Sequence, residues 1–130
     1  MTEEEVNSSD DSGFHSPQYA LTEDGILKVY SVGETTVLGF DGQDVPSEFN
    51  AAHYRAAISD LLVANQSNTV AFDLTGVTLV PSGMLGLLAS LKSLNGLQPN
   101  VQVFNPSKDV VEVLRITKLN TMIEVHEVDV

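Results

Sequence analysis

The chain has 130 residues, which suits one domain, and 42% of them are hydrophobic, which is enough to bury a core. Its formal net charge is −12, and six Lys plus Arg residues cannot build the basic face that nucleic acid or an anionic membrane requires. It contains no cysteine, which excludes disulfides, thiolate nucleophiles and cysteine metal sites.

The sequence shows neither a secretory signal nor an apolar run near the roughly 18 residues that span a bilayer. We therefore expect a cytoplasmic protein without direct membrane insertion. Residues 1–18 are polar and acidic and cannot offset their ordering entropy by burial, so they are predicted to form a flexible tail. The folded domain is predicted over residues 19–130.

A hairpin opens the predicted domain. Residues 26–32 and 35–40 are rich in β-branched and aromatic side chains, and Gly33 lies in the turn between them. Pro46 and Ser47 are predicted to open a first helix that ends near Asn65. Apolar residues recur along it at helical spacing, at Ala51, Tyr54, Ile58, Leu61 and Leu62. Residues 69–74 form a short apolar run typical of a central strand covered on both faces.

A second helix is predicted after the loop 75–81, and we expect it to end near Asn95 and Gly96. Its core positions are Met84, Leu87, Leu88 and Leu91. Residues 101–104 form another strand, Ser107 caps a third helix, and residues 122–128 alternate as a last strand. The order β-β-α-β-α-β-α-β predicts an α/β fold with right-handed crossovers: a mixed, mostly parallel sheet of about five strands with three to four helices.

No catalytic arrangement emerges from the residues. The phosphate-binding Gly-Lys-Ser/Thr motif is absent, and three histidines at positions 15, 53 and 126 share no metal-ligand spacing. Asp73 and Lys108 could occupy two positions of a phosphorelay receiver, but the acidic pair Asp10–Asp11 lies in the predicted tail and cannot complete a magnesium cage. We therefore expect no enzyme activity, no catalytic residue, no metal and no cofactor.

Three segments resemble the STAS domain, the fold of bacterial anti-sigma factor antagonists. Residues 70–77 resemble the family's strand that ends in Asp-Leu-Ser, and residues 82–88 resemble its Ser-Gly-Leu-Gly helix start. Residues 103–107, with the apolar positions that follow them, resemble the third helix and the last strand. The likeness covers about residues 26 to 126, and it implies that the predicted α/β domain is a STAS domain.

The resemblance departs from the family at its phosphorylation motif. Members commonly carry Asp-Ser-Ser-Gly or Asp-Ser-Thr-Gly, and a kinase that is also the anti-sigma factor phosphorylates the first hydroxyl. Here Val80 replaces the acid and Pro81 the phosphorylated residue, while Ser82 keeps the second hydroxyl. The usual switch is thus predicted to be lost or displaced. Ser82 is interpreted either as a structural helix-start serine or as a displaced phosphoacceptor.

The resemblance also implies a protein-binding surface at the start of the second helix, beside the loop 41–44. Met84 is interpreted either as an exposed contact or as a core residue. The residues predicted for this surface are Thr78, Leu79, Val80, Pro81, Ser82, Gly83, Met84, Asp41 and Asp44.

The implied function is protein binding in bacterial signalling or transcription regulation. The implied partner is an anti-sigma factor with serine-kinase activity or another STAS protein, and a homodimer stays open. Two alternatives remain: a small-ligand or nucleotide-sensing module, and an accessory subunit of a transporter. The nucleotide alternative is weakened because no basic residue lies between Arg55 and Lys92.

Overall fold

The computed structural model describes residues 17–94 and 96–127. Residues 1–16 of the predicted tail, residue 128 of the predicted last strand and residues 129–130 lie outside this range. Within it the chain forms an α/β fold with one sheet and three α-helices. The strands are β1 (Tyr19–Ala20), β2 (Lys28–Ser31), β3 (Thr35–Gly39), β4 (Thr69–Asp73), β5 (Asn100–Phe104) and β6 (Glu124–His126). The helices are α1 (Ala51–Ala64), α2 (Ser82–Ser90) and α3 (Lys108–Ile116), and a 3-10 turn spans Leu119–Thr121.

The sheet follows chain order, β1-β2-β3-β4-β5-β6. Strands β1 to β3 pair antiparallel, and β3 to β6 pair parallel. The predicted mixed, mostly parallel sheet with intervening helices is therefore confirmed. Because each parallel strand lies next to its predecessor, right-handed crossovers place α1, α2 and α3 on the same face of the sheet.

The core lies between that face and the helices. Leu38, Phe72 and Val103 are aligned across β3, β4 and β5, and none of them is exposed. Helix α1 buries Tyr54, Ile58 and Leu62 against them, and all four predicted core positions of α2 are buried. Every residue of β4 is buried, as expected for a central strand, although the helices cover one face of the sheet and not both as predicted.

Three details differ from the sequence prediction. The sheet has a sixth strand, β1, because Gln18 and Leu21 donate backbone hydrogen bonds to Val29 and Leu27 at 2.8 Å. Its two residues are too few to produce an alternating pattern. Gln18, which falls within the predicted tail, is thus already bonded to the sheet.

The other two differences are helix ends. Helix α1 begins at Ala51 and not at Pro46, because the Asn50 side chain caps it by accepting from the His53 amide at 3.0 Å. Helix α2 ends at Ser90, before the predicted stop. The chain then reverses between Leu94 and Leu97, where Gly96 adopts a φ of 90°.

Among residues 17–94 and 96–127, no helix combines the length and the apolar character needed to cross a bilayer. Parallel strands place their carboxyl ends at one edge of the sheet. Here that edge carries the loops that follow β3, β4 and β5.

Candidate partner-binding site

Three loops meet at the carboxyl edge of the sheet, and we call this region the carboxyl-edge surface. It consists of residues 41–50 after β3, residues 75–83 between β4 and the first turn of α2, and residues 105–107 after β5. All of the predicted partner-binding residues lie within these loops or the first turn of α2, and Met84 alone among them is buried. The structure thus brings the 41–44 loop beside the 78–83 segment, as expected.

Asp44 joins the first loop to the second. Its Oδ1 accepts hydrogen bonds from the backbone amides of Thr78 at 2.7 Å and Leu79 at 3.2 Å. Its Oδ2 accepts the Thr78 hydroxyl at 2.9 Å. The hydrogen bonds from Thr78, first from its amide and then from its hydroxyl, lower the pKa of Asp44 below its ordinary value because they favour the carboxylate.

Two glycines allow the same loops to approach closely. A Cβ on Gly76 would lie 2.9 Å from the Gly42 Cα, so no side chain fits there. Both residues also have positive φ, 79° at Gly42 and 83° at Gly76, where glycine is unstrained. The close approach therefore requires glycine at position 76, whereas a Cβ on Gly42 would meet only the Thr75 carbonyl at 3.8 Å and glycine there serves the positive φ.

The third loop is bonded to the second through Thr75 and Thr78. Asn105 donates from Nδ2 to the Thr75 hydroxyl at 2.8 Å, and that hydroxyl donates to Asp73 Oδ1 at 2.6 Å. The Ser107 hydroxyl, which also caps α3, lies 3.4 Å from the Thr78 carbonyl. Asp73 is therefore a buried carboxylate that anchors the loop.

Helix α2 begins at this surface without a side-chain cap. Pro81 is its cap residue, in an extended conformation with φ −75° and ψ 163°, and it offers neither a hydroxyl nor an N–H. Ser82 is exposed, and no hydrogen bond of its hydroxyl is found within the described part of the chain. Gly83 lies against the Phe49 ring, where a Cβ would meet the ring at 3.0 Å.

The exposed part of this surface is apolar and acidic. Leu79 is 64% exposed, Thr78 is exposed, and Val80 and Pro81 are partly buried. The acids Asp41, Asp44 and Glu48 are all exposed, and residues 41–50 and 75–83 include no Lys or Arg. Such a surface favours a partner that offers apolar side chains flanked by basic ones.

The prediction that Met84 belongs to the partner-binding surface was wrong. Its side chain is 0% exposed and packs in the core with Leu87 and Leu88. The residue follows the helical spacing of the core stripe, so the core interpretation describes it, and it is not available as a surface contact.

The residues predicted from the sequence did not include Phe49, Asn105 and Ser107, although they shape the surface. Asn105 precedes a proline and adopts a φ of 59°, which asparagine tolerates better than most residues. An Asn-Pro-Ser sequence directly after a strand was the available signal. Phe49 carried no such signal, since its contact with Gly83 is made between distant segments.

We also searched the described residues for a metal site and for a ligand groove. No three His, Asp or Glu side chains in residues 17–94 and 96–127 are grouped so as to hold a metal ion. A shallow groove runs elsewhere, along α1, and is lined by Leu21, Ala57, Asp60, Leu61 and Ala64. None of these lining residues belongs to the carboxyl-edge surface.

No protein-family model matches the sequence, and no curated protein matches it significantly. Its fold is similar to the crystal structure of a Thermotoga maritima protein described as a "putative anti-sigma factor antagonist", with a TM-score of 0.62. The two chains are 20% identical, and the match covers 77% of this chain and 85% of the other. This likeness establishes the fold: the chain has the STAS-like fold that the sequence resemblance predicted.

Proposed function

We propose that this chain is a non-enzymatic protein-binding domain that acts as an anti-sigma factor antagonist in a bacterial cytoplasm. Its partner is a kinase-type anti-sigma factor or another protein of STAS fold, and the contact is made by the carboxyl-edge surface. The observation that carries the proposal is Leu79, a large apolar side chain that is 64% exposed on a loop hydrogen-bonded to both of its neighbouring loops. An exposed apolar residue on a fixed backbone is the usual form of a binding anchor.

The proposal also holds that the serine switch of the family is lost. Pro81 occupies the position of the phosphorylated hydroxyl and has none, and nothing in the first turn of α2 replaces the acid that Val80 displaces. Incubation with the cognate kinase and ATP, followed by mass spectrometry, tests this. We expect no phosphate on Ser82, and stoichiometric phosphorylation there would establish a displaced switch.

The binding proposal is tested with the kinase-type anti-sigma factor encoded nearest to this gene, by titration calorimetry. Burying a leucine contributes about 1.5–3 kcal/mol, so Leu79→Asp is expected to weaken binding by about ten-fold or more. The matched control is Val63→Asp, because Val63 is 59% exposed but lies at the far end of α1. It should bind as the wild type does.

Two results would contradict the proposal. Equal losses for the two variants would show that the carboxyl-edge surface has no special role. The proposed function itself would be contradicted if the wild-type chain bound neither that kinase nor the STAS-fold proteins of the same genome.

A further inference from the structure

We propose that Asp44 is a positioning residue of the carboxyl-edge surface: its carboxylate fixes the backbone at Thr78 and Leu79 and thereby sets the direction of the Leu79 side chain. This inference rests on the proposed function, because it concerns how the same surface is prepared for a partner. It also changes the role predicted for Asp44 from the sequence, which was direct contact with the partner.

The acceptor capacity of Asp44 is largely used inside the chain. A carboxylate has two oxygens with about four lone-pair sites. Oδ1 takes the Thr78 and Leu79 amides at 2.7 and 3.2 Å, and the Thr78 hydroxyl lies 3.1 Å from Oδ1 and 2.9 Å from Oδ2. Three donors fill about three of these sites, so a partner can add about one hydrogen bond at Oδ2, and any further contact through this group would break bonds that hold the loop.

Leu79 needs such an anchor because packing does not fix it. At 64% exposure its side chain has few neighbours, so its direction is decided by the backbone that carries it. The other bonds close to this point are weaker or lie to one side. Ser107 approaches the Thr78 carbonyl at 3.4 Å, and the Val77 amide bonds to Leu74 at 3.0 Å. Asp44 alone among the described residues holds the Leu79 amide itself.

Asp41 supplies a matched comparison in the same loop. It is equally an exposed aspartate, and its backbone amide donates to the Tyr30 hydroxyl at 2.8 Å. Its carboxylate makes no hydrogen bond to the 75–83 segment within the described residues. Replacing Asp41 therefore removes the same charge from the surface without removing the anchor.

The first experiment needs no partner. Amide hydrogen exchange is measured by NMR, residue by residue, in the wild type, Asp44→Ala and Asp41→Asn. Loss of a charge-assisted acceptor should speed exchange at Thr78 and Leu79 by about ten-fold or more in Asp44→Ala. Asp41→Asn should leave both amides unchanged. Unchanged exchange in Asp44→Ala, or equal acceleration in both variants, overturns the proposal.

If Asp44→Ala does not fold, Asp44→Asn takes its place. Asparagine keeps a carbonyl acceptor but loses the charge, so we expect a smaller acceleration confined to the same two amides. Exchange that rises evenly over the whole domain would instead indicate a general loss of stability, and it would overturn the positioning role.

The second experiment separates positioning from direct contact, with the kinase-type anti-sigma factor as the binding probe. Leu79→Ala is measured alone and in the Asp44→Ala background. Positioning predicts that Asp44→Ala weakens binding and removes most of the further loss caused by Leu79→Ala. Fully additive losses overturn it. Unaltered binding by Leu79→Ala, together with faster exchange in Asp44→Ala, overturns the proposed binding surface while the anchoring of the loop stands.

Discussion

Asp24, like Asp44, is a carboxylate whose oxygens are occupied by donors from its own chain. Asp24 accepts the Thr22 hydroxyl and the Tyr54 hydroxyl, each at 2.6 Å, and the Ile26 amide at 3.0 Å. Burial raises the pKa of Asp24, but these hydrogen bonds outweigh it and the pKa is lowered overall. Burial and the neighbouring carboxylate raise the pKa of Tyr54, which therefore stays a donor.

Removal of the Tyr54 hydroxyl measures this bond. Tyr54→Phe keeps the ring, including its edge contact with Phe49 at a centroid distance of 4.9 Å, but loses the donor to Asp24. We expect the free energy of unfolding to fall by about 1–3 kcal/mol in urea denaturation, as for a hydrogen bond to a charged group. Tyr19→Phe, at an exposed position, is the control and should change it by less than about 0.5 kcal/mol. Equal stability of both variants would mean that the bond contributes nothing.

The titration of Asp44 gives a prediction with a definite sign. Its pKa in the folded chain is lowered, so its bonds stabilise the fold above the unfolded-state value of about 3.9 and are lost as pH falls through the lower folded value. The amide proton shift of Thr78 should thus be constant from neutral pH down to about pH 4, and then move with a midpoint below the ordinary aspartate value. A midpoint at or above that value would contradict the hydrogen-bond geometry.

At the scale of elements, Gly42 and Gly76 allow the loops after β3 and β4 to approach each other closely. Gly76 combines a φ of 83° with a Gly42 backbone that leaves no room for a Cβ. Gly96 has a similar φ of 90°, but no described atom lies within 4 Å of the place a Cβ would take. A comparison of Gly76 with Gly96 therefore separates the effect of a steric clash from the effect of a positive φ.

Alanine at the two positions should therefore have unequal effects. Gly96→Ala is expected to cost about 1 kcal/mol from the left-handed conformation alone. Gly76→Ala adds a clash with backbone, and we expect about 2 kcal/mol or more, with Leu79 amide exchange raised as well. Urea denaturation midpoints compare the two. Equal losses would show that the Gly42–Gly76 approach relaxes freely.

The elements that the sequence predicted best are those with a clear hydrophobic pattern, either helical spacing or an unbroken apolar run. Helix α1 has Tyr54, Ile58 and Leu62 at helical spacing, and β4 is an unbroken buried run, so both were found. The predicted start of α1 was wrong because a single side chain, Asn50, decides it, and Pro46 with Ser47 offered an equally good local signal. Strand β1 was missed because its two residues form a strand only by pairing with β2, and the local sequence does not show that pairing.

At the scale of the whole molecule, the core and the carboxyl-edge surface make opposite demands on apolar residues. Phe72 is 0% exposed at the centre of the sheet, whereas Leu79 is 64% exposed, only seven positions further along the chain. Composition cannot separate them, because both are large and apolar. Whether each side chain is buried depends on which other segments of the fold pack against it.

Truncation of the two side chains should show the difference. Phe72→Ala is expected to lower the free energy of unfolding by about 3–5 kcal/mol, because it leaves a cavity between β4 and the helices. Leu79→Ala should stay within about 0.5 kcal/mol of the wild type. Both are read from urea denaturation. A large loss for Leu79→Ala would mean that this residue supports the fold and is not free for a partner.

The sequence predicted which loops form the candidate site, but it did not predict the hydrogen bonds that join them. Strand order places the loops after β3 and β4 at one edge, so the proximity of residues 41–44 and 78–83 follows from topology. The hydrogen bonds between Asp44 and Thr78 join residues 34 positions apart, and no local pattern announces them. The burial of Met84 was one of two interpretations open to the sequence, since helical spacing alone does not tell which way the first turn of α2 faces.

The proline at the cap of α2 limits the covalent changes that this end of the helix can undergo. The extended backbone at Pro81 is one that serine adopts readily, so a single base change could restore a hydroxyl there without moving the main chain. While proline remains, residue 81 cannot carry a reversible covalent mark. Ser82, the next residue, is exposed and carries the hydroxyl of this first turn, so a phosphate added at the start of α2 would have to be attached there.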